Sequence, residues 1–127
     1  MSVCNTLTPA VLELPVEHRW ITVPAAVGDV RVRIVWPPHN APLPVIVYLP
    51  DADAGTDDDL VGELAVGAEA AVAVVEYDRY PVAIEQGYAT AQWLTREGGS
   101  WGLDPTRMAV TGDEQLASVL RGALNDA

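Results

Sequence analysis

The sequence predicts a three-layer α/β domain, in which a five-stranded, mostly parallel sheet carries an antiparallel hairpin at its amino-terminal edge. The main observation is a short, continuous apolar run at 45–49 and a similar segment at 70–77, which contains Val72-Ala73-Val74-Val75. Such runs are typical of strands buried on both faces. Apolar residues at helical spacing follow each run, and this alternation of buried strands with helices predicts parallel pairing through right-handed crossovers.

The hairpin comes first along the chain. Residues 17–23 and 30–36 each alternate apolar with polar side chains, and a short loop containing Gly28 separates them. An alternation with period two predicts a strand with one buried face and one face in water. We therefore expect Arg31 and Arg33 to point into solvent.

Three helices and a last strand complete the prediction. Thr56 is expected to cap the first helix, ahead of three acidic residues that favour the positive end of the helix dipole. Pro81 suits the first position of the second helix, and Gly98 and Gly99 are expected to end it. After a turn at 104–105, the last strand covers 107–111. Gly112 and Asp113 then form a predicted tight turn, with Asp113 as a turn or cap residue, and a helix follows to Leu124.

Composition limits the function classes. The 127 residues are enough for one domain, with residues 1–16 as an amino-terminal arm. The net charge of −11 argues against nucleic acid or an anionic membrane as a partner. No apolar run is long enough to span a bilayer and no secretory signal is visible, which predicts a cytoplasmic protein. All seven basic residues are Arg, which indicates a GC-rich coding sequence and a bacterial source.

Five segments then carry a resemblance to a known family. Their order and spacing resemble the amino-terminal half of an α/β-hydrolase of the hormone-sensitive-lipase-like esterase family. The matching segments are 19–24, 44–49, 75–79, 80–94 and 102–113. The resemblance implies a partial α/β-hydrolase fold with the strand order 1-2-4-3-5.

The departures from that family fall at its catalytic positions. Where the family has a glycine-rich oxyanion loop, this chain has Pro-Asp-Ala-Asp at 50–53. Glu114 stands where the family has the nucleophilic Ser, and Leu116 stands at a Gly position, where we expect it to strain the turn. The chain also ends before the family's triad Asp and His, so we expect a truncated relative that is not a serine esterase.

The carboxyl edge of the sheet supplies the candidate site residues. Glu114 is the predicted general acid/base, in a pocket that raises its pKa, although a carboxylate that stabilises the start of a helix stays the alternative. The other candidates are Asp51 and Tyr80 for catalysis, and Asp53, Asp78, Arg79, Asp113 and Gln115 for ligand binding. No metal and no cofactor are predicted, because the acidic stretch from residue 51 lacks the ligand spacing of a calcium loop.

Two functions stay open at this point. One is a non-hydrolytic protein that binds a small molecule and uses acid/base chemistry for a cyclisation, isomerisation or dehydration. The other is a catalytically inert pseudoenzyme that acts by oligomerising or by binding a protein partner. We also expect a homodimer or larger homo-oligomer, because strand 107–111 is an edge that neither Pro nor Lys protects.

Overall fold

A computed structural model describes residues 16–26, 28–38, 41–50, 58–77 and 81–125. The described strands are β1 (Glu17–Val23), β2 (Val30–Trp36), β3 (Leu43–Leu49), β4 (Ala71–Glu76) and β5 (Leu103–Gly112). The helices are α1 (Asp58–Ala68), α2 (Val82–Glu97) and α3 (Glu114–Asn125). The predicted amino-terminal arm lies outside the described residues, apart from Val16.

The predicted sheet and strand order are confirmed. The five described strands form one sheet in the order β1-β2-β4-β3-β5. Strands β1 and β2 pair as an antiparallel hairpin, and β2 continues antiparallel against β4. Strand β3 lies between β4 and β5 and is parallel to both.

Helices cover both faces of this sheet, as the three-layer prediction requires. On one face α1 packs through Val61 and Ala65 against Val35, Val72 and Val74. On the other face α2 and α3 form the larger core cluster with the opposite side chains of all five strands. Each helix buries one apolar stripe, so the two faces of the sheet are closed by different parts of the chain.

The exposure of side chains on the hairpin's outer face differs from the prediction. Arg31 is exposed as expected, but Arg33 is only 8% exposed and Val35 only 3%. The cause is that β2 is an interior strand, with β1 on one side and β4 on the other, and that α1 covers part of its outer face. Alternation in a single strand does not reveal such a cover.

Two element boundaries also differ. Pro81 precedes α2 as its N-cap residue, although the predicted end of this helix is confirmed, since Gly98 follows Glu97 as the C-cap. A short 3-10 helix (Gly98–Trp101) comes next, with Gly102 as its C-cap at a φ of +76°. Strand β5 begins at Leu103, so the predicted turn at 104–105 lies inside it. There the Asp104 carboxylate accepts a hydrogen bond from the Thr106 amide at 3.1 Å, and the register against β3 shifts.

Strand β5 is the edge of the described sheet, as predicted. A charged side chain nevertheless lies against it, because Arg121 of α3 donates a hydrogen bond to the Val110 carbonyl oxygen at 2.9 Å. Charged side chains at an edge hinder pairing with another chain. The strand's own residues gave no sign of this protection, and the predicted homodimer stays a prediction.

Candidate functional site

The three parallel strands end at one edge of the sheet. In the register of the sheet, Leu49 at the end of β3 lies beside Gly112 at the end of β5. On its other side β3 pairs with β4, which ends at Glu76. The segments that follow these strands therefore start close together, which is where ligands bind in open α/β sheets.

A tight turn joins β5 to α3 at this edge. Gly112 has φ of +122°, and a Cβ atom at this position would lie 2.0 Å from the Leu49 carbonyl oxygen. The next residue, Asp113, donates its backbone N–H to that same oxygen at 2.7 Å. Only Gly allows the two backbones to come this close, so residues 112–113 fix where the helix begins.

Asp113 caps helix α3, as predicted from its position in the sequence. Its carboxylate oxygen Oδ1 accepts a hydrogen bond from the Leu116 amide at 3.1 Å, and its carbonyl accepts one from the Ala117 amide at 2.8 Å. Leu116 is 6% exposed and belongs to the core. The expectation that Leu116 strains the turn is wrong, because it lies in the helix and has no positive φ.

Glu114 and Gln115 are the first two residues of α3, and both are exposed. The backbone N–H groups in the first turn of a helix have no intrahelical acceptor. Glu114 is an exposed carboxylate in the first turn of α3. It does not line the cavity between α2, α3 and β5, or the cavities beside Trp36 and beside Ile84. The segments 51–57 and 78–80 lie outside the described residues, so the pocket around Glu114 stays a prediction.

The other predicted site residues belong to the two segments that follow β3 and β4. Asp51, Asp53, Asp78, Arg79 and Tyr80 lie outside the described residues. Among the residues that the structure does describe, no group of three His, Cys, Asp or Glu side chains could hold a metal ion. The described helices do not combine the length and the hydropathy that a bilayer-spanning segment requires.

The structure adds one residue that sequence reasoning missed. The Tyr77 hydroxyl, just past the end of β4, donates a hydrogen bond to the Pro50 carbonyl, just past the end of β3. This bond ties together two of the three strand ends at the candidate site. The signal available in the sequence was an aromatic residue with a polar end directly after a buried strand.

Comparisons with known proteins agree with this geometry. A family described as alpha/beta hydrolase fold matches residues 51–115. Esterase LipI of Mycobacterium tuberculosis is 34% identical over 106 residues, which cover 73% of this chain and 33% of LipI. Carboxylesterase NlhH of the same organism is 34% identical over 112 residues, which cover 80% of this chain and 35% of NlhH. The chain thus spans about a third of the length of these relatives.

Solved structures give the same picture. An esterase from Pyrobaculum calidifontis superposes with a TM-score of 0.81 at 28% identity, covering 92% of this chain and 42% of that one. An esterase from Pseudomonas putida superposes with a TM-score of 0.78 at 26% identity, again covering 92% of this chain and 42% of that one.

These relatives correct the functional prediction. All four are named as esterases or carboxylesterases. The prediction of a non-hydrolytic protein that binds a small molecule for cyclisation, isomerisation or dehydration is therefore wrong. They give no support to its alternative, an inert pseudoenzyme. Both ideas came from the departures at Glu114 and at 50–53, which describe single positions and not the reaction of the whole protein.

Proposed function

This chain belongs to the alpha/beta hydrolase fold family, and from that membership we propose that it takes part in the hydrolysis of carboxylic esters. The observation that carries the proposal is the turn at 112–114. It starts a helix at the carboxyl edge of a parallel sheet, with an exposed side chain at its first position. This is the place at which the family resemblance puts the nucleophilic Ser.

The residue at this position is Glu114, so the proposed route uses water as the nucleophile. The Glu114 carboxylate accepts a proton from a water molecule while the water oxygen forms a bond to the ester carbonyl carbon. When the tetrahedral intermediate collapses, the carbon–oxygen bond to the alcohol breaks and Glu114 returns the proton to the leaving oxygen. Water and ester become acid and alcohol, and Glu114 ends as a carboxylate.

The start of α3 also supports stabilisation of the oxyanion. The family resemblance assigns one oxyanion donor to the backbone N–H of the residue after the nucleophile, which is Gln115 here. The Leu116 amide is already bonded to Asp113 and is not free for this role. We therefore assign the oxyanion contact to the Gln115 amide and the positioning of the turn to Asp113.

The test measures the hydrolysis of p-nitrophenyl acetate and butyrate by the full protein. Wild type should exceed the buffer rate, and Glu114→Gln should lose about 100-fold or more of the enzymatic rate, because general-base catalysis contributes roughly 10²–10⁴-fold. Glu114→Asp keeps the carboxylate and should retain part of the activity. Glu85→Gln is the matched control, since Glu85 is also an exposed glutamate in the first turn of a helix.

Two results would overturn the proposal. One is a wild-type protein whose rate equals that of buffer. The other is a Glu114→Gln variant as active as Glu85→Gln, which would show that any turnover does not depend on this carboxylate.

A further inference from the structure

A cavity in the described residues lies away from Glu114. It is a groove of about 560 Å³ between α2, α3 and the edge strand β5. This volume falls within the range of roughly 300–1,000 Å³ that is usual for small-molecule sites. Its residues from α3, beginning at Arg121, lie seven or more positions after Glu114, which is about 10 Å along a helix.

The groove has an apolar floor. Val110 and Ala91 are buried, and Tyr88, Met108 and Leu124 are partly buried with surface facing the groove. These five side chains come from three different elements, so the floor depends on how α2 and α3 pack against β5. A hydrocarbon group placed there would remove apolar surface from water.

The charge of the groove is opposite to that of the protein. The chain has a net charge of −11 and only seven basic residues, yet Arg96 and Arg121 both line this groove. Of the described residues that line it, none is Asp or Glu. The groove is therefore a local cationic site on an acidic protein.

The two guanidinium groups differ in their bonding. Arg121 donates a hydrogen bond from Nη1 to the Val110 carbonyl, which holds its guanidinium against the groove. Within the described part of the chain, Arg96 has no hydrogen-bond or ion-pair partner. A planar guanidinium without a partner has the geometry to bind a carboxylate through two parallel hydrogen bonds.

We propose that this groove binds an aliphatic monocarboxylate, with its carboxylate on Arg96 and Arg121 and its chain over Met108 and Leu124. The apolar floor favours a ligand with a hydrocarbon chain over a small inorganic anion. Since none of the described lining residues is acidic, the groove favours an anion over a neutral amphiphile. This site is separate from the turn at Glu114, so the proposed binding does not depend on ester hydrolysis.

The test uses octanoate as the probe, with octanol as its uncharged match and acetate as its headgroup alone. Calorimetry should give one octanoate site per chain, with clearly weaker binding of octanol and acetate and with an affinity that falls as salt is raised. Methyl NMR signals of Met108 and Leu124 should shift as octanoate is added. These signals report on the groove and not on the turn at Glu114.

Arg96→Gln is the decisive variant. Arg96 makes no hydrogen bond or ion pair within the described residues, so its replacement should not destabilise the fold. It should weaken octanoate binding about tenfold, as expected when a charged hydrogen-bond partner is removed. Arg31→Gln, which changes an exposed Arg on β2, is the control and should bind octanoate like wild type.

Three outcomes would overturn the proposal. If octanol binds as tightly as octanoate, the carboxylate charge does not contribute to binding. If octanoate does not bind at millimolar concentration, the groove is not a binding site for aliphatic carboxylates. The third outcome is that the methyl signal of Met108 shifts with protein concentration without octanoate and does not respond when octanoate is added. This result would show that a second copy of the chain occupies the groove.

Discussion

Replacing Gly112 with Ala tests the turn that positions the candidate site. The substitution adds a Cβ atom at a backbone φ of +122°, a conformation that residues with a side chain rarely adopt. The new atom would lie 2.0 Å from the Leu49 oxygen and 2.5 Å from its carbonyl carbon. Both contacts are with backbone, so the end of β3 or the start of α3 has to move.

The expected cost follows from two contributions. The unfavourable backbone conformation costs about 1–3 kcal/mol. Moving the two backbones apart breaks the hydrogen bond from Asp113 to Leu49, which is worth about 1 kcal/mol. The free energy of unfolding should therefore fall by about 2–4 kcal/mol, a large part of the roughly 5–15 kcal/mol typical of a domain. The matching decrease in Tm is roughly 8–16 °C.

Urea unfolding followed by circular dichroism measures this change. Gly122→Ala is the matched control, because Gly122 lies in exposed helix and nothing stands within 4 Å of its added Cβ. That control should gain about 0.5–1 kcal/mol. If Gly112→Ala unfolds at the same urea concentration as wild type, the close approach of β3 and β5 at this turn is not a feature of the folded protein.

Three further changes test other parts of the structure. Asp113→Ala removes the cap of α3 and should lower the free energy of unfolding by about 1 kcal/mol in a urea titration, whereas Asp113→Asn should keep most of it. The Thr106 hydroxyl, followed by Arg107, holds the pKa of Asp104 below its ordinary value. A lowered pKa in the folded state stabilises the fold above the pKa of the unfolded carboxyl, and this stabilisation is lost as pH falls through the folded pKa. The difference in unfolding midpoint between wild type and Asp104→Asn should therefore shrink from pH 7 to pH 3, and a constant difference would contradict this. Arg121→Met frees the Val110 carbonyl on the β5 edge and should raise the average mass seen by light scattering, while an unchanged mass would mean that this edge is not the pairing surface of the predicted homodimer.

Local sequence patterns determined many of the secondary-structure elements of this protein. The apolar segments at 45–49 and 70–77 predicted two buried parallel strands, and both were confirmed as β3 and β4. Gly112 and Asp113 predicted a tight turn and a cap, because the positive φ and the carboxylate acceptor are properties of those residue types. The strand order came from the family resemblance, since no single segment specifies its neighbours in a sheet.

Tertiary structure decided the contacts between segments far apart in the chain. Arg33 was expected in water, yet the position of β2 inside the sheet makes it 8% exposed. The exposure of Glu114 at the start of α3 likewise depends on how that helix packs, and its position in the sequence did not determine it. The bond from Arg121 to the β5 edge joins a helix and a strand whose side chains give no sign of each other in sequence. Hydrophobic period and turn chemistry specify each element alone, whereas burial and edge protection depend on which element packs against which.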